Sequence, residues 1–216
     1  MKTIAIIPAY NEEKNIGNVI SETKKYVDEV IVVDDNSSDK TTEIARSKAD
    51  VVMRHIVNMG KGVALKTGFE EAIRRKADFL VAIDADGQHK PKDIPRLLKE
   101  INEVDIVIGS RLLNEKMPFV QKAGNIFIQK MFELLFKKKI RDTQSGFRVI
   151  RSKVYKKIKW EAQQYAVETE MLVNACRNNL RIKEVPIETI YLDNYKGTTV
   201  FDGIKIFVRM IFLKLR

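Results

Sequence analysis

The sequence predicts an α/β layer fold with a largely parallel central sheet. Short Val- and Ile-rich runs alternate with amphipathic segments through the first half of the chain. Polar and acidic residues gather just after four of the strand runs, where ligands sit in open α/β sheets. The composition is that of a folded domain: 44% of the 216 residues are hydrophobic and 31% charged.

Each element follows from its residues. Thr3 to Pro8 is an apolar run, read as a buried strand. Asn11 is a good N-cap, so Glu12 to Tyr26 reads as a helix. Glu29 to Asp34 is a second strand, and Asp39 can cap a helix over Lys40 to Lys48. Val51 to Arg54 is a third strand. Gly62 to Lys76 is helical, with Ala64, Leu65, Phe69, Ala72 and Ile73 on one face. Phe79 to Asp84 is a fourth strand, Pro91 to Asn102 a helix with proline in its first turn, and Asp105 to Gly109 a fifth strand. The second half is less regular. Phe119 to Phe136 reads as a long apolar helix, Phe147 to Ile150 as a strand and Glu168 to Asn178 as a helix. Ile182 to Tyr191 reads as a strand broken at Pro186, and Thr199 to Arg216 as a terminal helix. No repeat or linker divides the chain, so residues 1–216 are expected to form one domain.

Composition narrows the function classes. The single cysteine, Cys176, excludes an internal disulfide framework and a cysteine zinc site. His55 and His89 are too few for a His-rich metal site. Met1-Lys2-Thr3 leads straight into a short apolar run that does not suit a secretory signal, and no stretch approaches the 18 apolar residues of a membrane span. A cytoplasmic setting is expected. Lys and Arg number 39 against 29 for Asp and Glu, a net charge of +10. An acidic partner is implied: nucleic acid, an anionic membrane or a phosphorylated substrate.

Two clusters carry chemistry. Asp84-Ala85-Asp86 follows a buried strand run, and at a strand end that turns, both carboxylates can converge on a hard divalent cation such as Mg²⁺ or Mn²⁺. Gln88 could add a neutral oxygen. Asp34-Asp35-Asn36-Ser37-Ser38-Asp39 serves either as a turn with a helix cap or as a partner for ribose hydroxyls or a base edge. Gly60-Lys61-Gly62 begins like a phosphate-binding loop, but Leu65 stands where that pattern needs glycine. The glycines still permit close backbone approach to a ligand.

Together the ordered blocks Pro8-Ala9-Tyr10-Asn11-Glu12, Asp34 to Asp39, Asn58-Met59-Gly60-Lys61-Gly62, Asp84 to His89, Gly109-Ser110-Arg111 and Asp142 to Arg148 resemble a family 2 glycosyltransferase. They are most similar to the dolichol-phosphate mannose synthase and polyprenyl-phosphate glycosyltransferase branch. The resemblance implies a GT-A fold, a nucleotide-sugar donor of the GDP-mannose or UDP-glucose type, and Mg²⁺ or Mn²⁺. Pro8, Tyr10, Glu12, Asp35, Gly60, Lys61 and Asp84 would then bind the nucleotide. Asp84, Asp86 and Gln88 would hold the metal and donor diphosphate. Asp86, Arg111 and Arg148 would carry the reaction, and Arg111, Lys122, Ser145 and Arg148 would face the acceptor phosphate. Where relatives carry two adjacent basic residues, this sequence has Gln121-Lys122, which leaves the charge to Lys122. Lys196-Gly197-Thr198-Thr199 occupies a place where relatives carry a Gly-Ser-Lys-like turn.

The implied reaction is a single displacement that inverts the anomeric carbon. A lipid monophosphate has a second pKa of about 6, so its dianion needs positioning cations and no general base. A hydroxyl acceptor would need a base, for which Glu168 and Glu170 are candidates, although both suit a helix N-terminus equally. The terminal helix carries many apolar residues, and Asp202, Lys205, Arg209 and Arg216 share one stripe at helical spacing. It either lies at an anionic membrane surface or packs on the sheet. The long apolar helix that closes on Lys137-Lys138-Lys139 invites the same two readings. The expected state is therefore a peripheral membrane enzyme with no transmembrane segment. A sugar-phosphate nucleotidyltransferase is disfavoured by the lack of glycine after the first strand. A nucleic-acid-binding module is disfavoured by the acidic strand ends.

Overall fold

The computed structural model describes residues 1–111, 119–163, 166–188, 190 and 200–215, with backbone alone at 119–122 and 200–202. Among these, seven strands form one sheet: β1 (Thr3–Ala9), β2 (Glu29–Asp34), β3 (Val51–Arg54), β4 (Phe79–Ala82), β5 (Ile106–Arg111), β6 (Arg148–Arg151) and β7 (Ile182–Ile187). Their order is β3-β2-β1-β4-β6-β5-β7. Every neighbouring pair is parallel except those of β6, which runs antiparallel to β4 and β5. The helices are α1 (Ile16–Thr23), α2 (Thr41–Lys48), α3 (Lys61–Arg74), α4 (Ile94–Glu100), α5 (Phe119–Phe136), α6 (Tyr155–Ile158), α7 (Val167–Arg177) and α8 (Val200–Leu215).

The strands read as continuous apolar runs because both faces are covered. Ile4, Ile6, Ile31 and Val33 point to one side, against Phe69 of α3, Phe132 of α5, Leu172 of α7 and Met210 of α8. Ala5, Ile7, Val30 and Val32 point to the other, against Ile16 and Ile20 of α1, Ala45 of α2 and Leu97 of α4. The period of two along each strand thus divides the core into two layers.

Several boundaries differ from expectation. The first helix begins at Ile16 and not at Glu12, because Asn11 adopts a left-handed φ of 53°. Its side chain accepts the Ser38 N–H at 2.9 Å instead of capping. The N–H groups of Asn11, Glu12 and Glu13 go to Ser37, Thr41 and Asp39 of the next loop. Asp39 also takes the Thr41 N–H at the start of α2, in line with its expected capping role. β4 stops at Ala82, so Asp84 lies in the turn beyond it. Pro186 does not break its strand. β7 is an edge strand bonded only to β5, where a missing N–H is tolerated. A 3₁₀ turn at Ser152–Val154 leads into α6, an element the sequence pattern did not mark.

The terminal helix packs on the core, one of its two readings. Ile206, Met210 and Leu213 are buried in the core, while Ile204, Val208, Phe212 and Leu215 are exposed. Topology also fixes where a ligand can sit. The chain leaves β1 for β2 on one side, and β4 flanks β1 on the other. The crevice of this switch point opens at the carboxyl ends of β1 and β4. Because β6 is antiparallel, the segment that precedes it arrives at the same edge.

Candidate active site

Asp84 and Asp86 stand in the turn after β4, at that crevice. The turn requires Gly87, whose φ is 75°. Asp86 receives the Gln88 N–H at 3.0 Å. Burial, and then the charge of Asp84, push the Asp86 carboxyl up to about 6. Two crowded carboxylates, one of them short of counter-charge, are a donor set suited to a hard divalent cation. Among the described residues no third carboxylate, His or Cys completes a protein-only cage.

Lys61, the first residue of α3, places its Nζ 2.7 Å from Asp84 Oδ1 and 2.8 Å from Glu168 Oε1. Burial alone would depress its pKa, but the charges of Asp84 and Glu168 and hydrogen bonds to both hold it raised. Asp84 in turn is held below the usual carboxylate range: burial opposes this, and the charge and hydrogen bond of Lys61, with the charge of Arg111, outweigh it. His89 is buried against Phe147, and its Nδ1 lies 3.9 Å from Asp84 Oδ2. That nitrogen has no hydrogen-bond partner among the described residues. Burial pulls its pKa down to about 4, so the ring is neutral.

The segment before β6 closes over this group. A Cβ on Gly146 would sit 2.5 Å from Asp84 Oδ2 and 2.9 Å from Lys61 Nζ. Gly146→Ala must therefore move the carboxylate or the ammonium. Since a displacement of about 1 Å can cost on the order of a hundredfold in rate, we expect Gly146→Ala to lose most transfer activity. Its melting temperature should stay close to wild type, as read by calorimetry beside the transfer assay.

Arg111 is fixed by Asp142. Its Nε and Nη2 donate to the two carboxylate oxygens at 2.7 and 2.8 Å, and its backbone N–H adds a third bond at 3.0 Å. The guanidinium holds Asp142 well below its ordinary pKa against the effect of burial. Asp142 sits in a block quoted for the family resemblance, yet its partner lies 31 residues earlier, a pairing that no local signal exposes.

Three expectations need correction. Arg148 does not face a phosphate. It is 1% exposed and donates to the carbonyls of Ser145, Glu168 and Thr143 at 2.8, 2.8 and 3.0 Å. Ser145 is also buried, its hydroxyl spent on the Gly109 carbonyl at 2.6 Å. Both residues shape the loop that carries Gly146 and touch no open surface of the crevice. Asp35, expected at a base or ribose, is 3% exposed. Its oxygens accept the Met59 and Gly60 N–H groups at 2.9 and 2.7 Å and meet His55 Nδ1 at 2.7 Å. It pins the loop that delivers Lys61, and His55, which sequence reading left without a role, joins it there.

The other expected residues lie where the topology places them. Tyr10 is exposed after β1, and Glu12 follows, its Oε2 accepting from Asn15 at 3.1 Å. Pro8 is buried within β1. Gln88 is buried beside Asp86. The Lys122 side chain and the 196–199 segment lie outside the described residues. Of the two candidate bases, Glu168 is engaged by Lys61. Glu170 accepts from Glu161 N, Ala162 N and Arg209, which ties α8 to the loop over α3.

A family model described as glycosyl transferase family 2 matches residues 4–159. An uncharacterized protein of Methanocaldococcus jannaschii is 38% identical, over 97% of this chain and 91% of that protein. The UDP-N-acetylglucosamine–dolichyl-phosphate N-acetylglucosaminyltransferase of Methanococcus voltae is 36% identical, over 97% of this chain and 95% of its own length. Among solved structures, glucosyl-3-phosphoglycerate synthase from Mycobacterium tuberculosis, in complex with Mn²⁺, UDP-glucose and phosphoglyceric acid, matches with a TM-score of 0.79 at 19% identity. That match covers 99% of this chain and 79% of the synthase, and the likeness is one of fold.

Proposed function

Because the chain belongs to glycosyl transferase family 2, we propose that it moves a hexosyl group from a nucleotide sugar to a polyprenyl or dolichyl phosphate, with inversion. The observation that carries this reading is the Asp84–Asp86 pair at the β1/β4 switch point, flanked by Lys61 and by an Arg111 locked onto Asp142. Asp84 and Asp86 would hold Mg²⁺ or Mn²⁺, which offsets charge on the departing nucleoside diphosphate when bound. Tyr10 and Glu12 would line the donor side.

Arg111 would orient the acceptor phosphate, and Lys122 is the second cation proposed there. A phosphate dianion supplies its own nucleophilic oxygen, so the site needs no general base. Both glutamates are engaged elsewhere: Glu168 pairs with Lys61, and Glu170 accepts two backbone N–H groups and Arg209. The Methanococcus voltae relative carries a dolichyl-phosphate acceptor in its name, which supports the same acceptor class here.

The lipid part of the acceptor has a matching surface. Phe127 and Leu134 of α5 and Ile204, Val208, Phe212 and Leu215 of α8 are exposed on two helices that pack together, with exposed Lys137, Lys138 and Lys139 following α5. We assign this face to the headgroup region of an anionic membrane. Among the described residues no helix is long and apolar enough to cross one.

The test is sugar transfer from labelled GDP-mannose, UDP-glucose and UDP-N-acetylglucosamine to polyprenyl phosphate, beside the matching free polyprenol. Transfer to the phosphate should exceed transfer to the alcohol at least about a hundredfold, the effect expected of losing a charge-assisted contact and the intrinsic nucleophile. A preference for the alcohol would overturn the phosphate-acceptor reading.

A further inference from the structure

We propose that Lys61 is a built-in counter-cation of Asp84, which makes the divalent cation and the nucleotide diphosphate enter the site together and not separately. The inference rests on the metal reading given above. Its basis is geometric. The ammonium already occupies Asp84 Oδ1 at 2.7 Å, so a metal ion arriving alone must displace it or bind beside a like charge. Lys61 is held beside Asp84 from two sides. The Asp35 carboxylate grips the Met59 and Gly60 N–H groups immediately before it, and Glu168 tethers Nζ from the other side at 2.8 Å. Gly146 leaves no room for a side chain above the pair.

Arg111, the other cation near Asp84, is clamped by Asp142 at two points. Asp84 therefore depends on Lys61 for its close-range ion pair. A diphosphate brings the negative charge that lets the ammonium leave Asp84 while keeping Glu168. Each ligand then favours the other, a reciprocal coupling between cation and nucleotide. Lys61 is thus a positioning residue that sets binding order, a role distinct from direct contact with the sugar.

The test is Mn²⁺ titration of the full chain by electron paramagnetic resonance, without nucleotide and with GDP or UDP. In wild type, nucleotide should tighten Mn²⁺ binding at least about tenfold. Lys61→Met should bind Mn²⁺ alone about tenfold more tightly than wild type and lose most of the coupling. Lys61→Gln, a polar side chain without the charge, should behave alike, and it decides the matter if Lys61→Met melts too low to titrate. Mn²⁺ affinity without nucleotide that is unchanged or weaker in the titrated variant overturns the role of Lys61. Asp86→Ala should abolish Mn²⁺ binding in every background, and its failure to do so would overturn the metal reading itself, a separable result.

Discussion

Asp86→Ala should reduce sugar transfer by about a thousandfold or more while leaving the protein folded. Asp86 lies in a turn beyond β4 and bonds only the Gln88 N–H among the described residues, so its removal costs the core nothing. Its charge is another matter. Transfer releases a nucleoside diphosphate, and losing one preorganised electrostatic partner of such a group costs about 3–4 kcal/mol, or on the order of a hundred- to a thousandfold in rate. Loss of the cation as well makes the upper end the expected result. The measurement pairs the transfer assay with a thermal melt. Removal of metal by a chelator should give a similar loss in wild type and change Asp86→Ala little. Full wild-type activity in excess chelator would remove the metal from the reaction.

Arg148→Ala should act in the opposite sense, through stability. The side chain is the largest of those fully buried, and it donates to the loop carbonyls of Thr143 and Ser145 and to the Glu168 carbonyl of α7. Burial pulls its pKa down to about 10, yet it stays charged at neutral pH. Truncation takes this donor from the buried Ser145 and Thr143 carbonyls, strips one bond from Glu168, and leaves a cavity behind β6. Together these cost about 3–5 kcal/mol, a fall of roughly 10 °C in melting temperature for a chain of this size. Arg148→Lys should recover little, because an ammonium cannot reach three carbonyls set apart around a planar fork. A variant that melts like wild type but no longer transfers sugar would return Arg148 to the reaction centre.

The contrast between these two residues marks what the sequence makes legible. The α/β class and the family likeness both stand. β2 and β3 match their expected bounds, and for β2 the reason is that a strand covered on both faces reads as a continuous Val and Ile run. The placement of Asp84 and Asp86 beyond β4 was legible, because two carboxylates one residue apart follow a buried strand run. Arg148 and Ser145 were not, since an arginine that binds a phosphate and one that binds carbonyls look identical in one dimension. The same holds for Asp35. Its loop-pinning bonds reach residues 24 and 25 positions later, so a carboxylate that resembles a ligand group is in fact a scaffold. The Lys61–Glu168 and Arg111–Asp142 pairs form only once β6 and α7 are in place, which no local pattern encodes.

The antiparallel course of β6 bears on how an active molecule comes into being. β1 to β4 find their parallel partners within the first part of the chain, whereas β6 must slot between β4 and β5, which precede it. Without β6, the β5–β7 pair has no bond to β4 and the rest of the sheet. A molecule that has folded only its amino-terminal half owns both aspartates of the turn. It lacks the Glu168 tether for Lys61, the Asp142 clamp for Arg111 and the Gly146 cover. Refolding should therefore yield no graded series of weak binders. Amide protection at Val149 and Ile150, followed by pulsed hydrogen exchange, should rise in step with nucleotide affinity, so that insertion of one central strand is the moment at which an inert chain becomes a receptor.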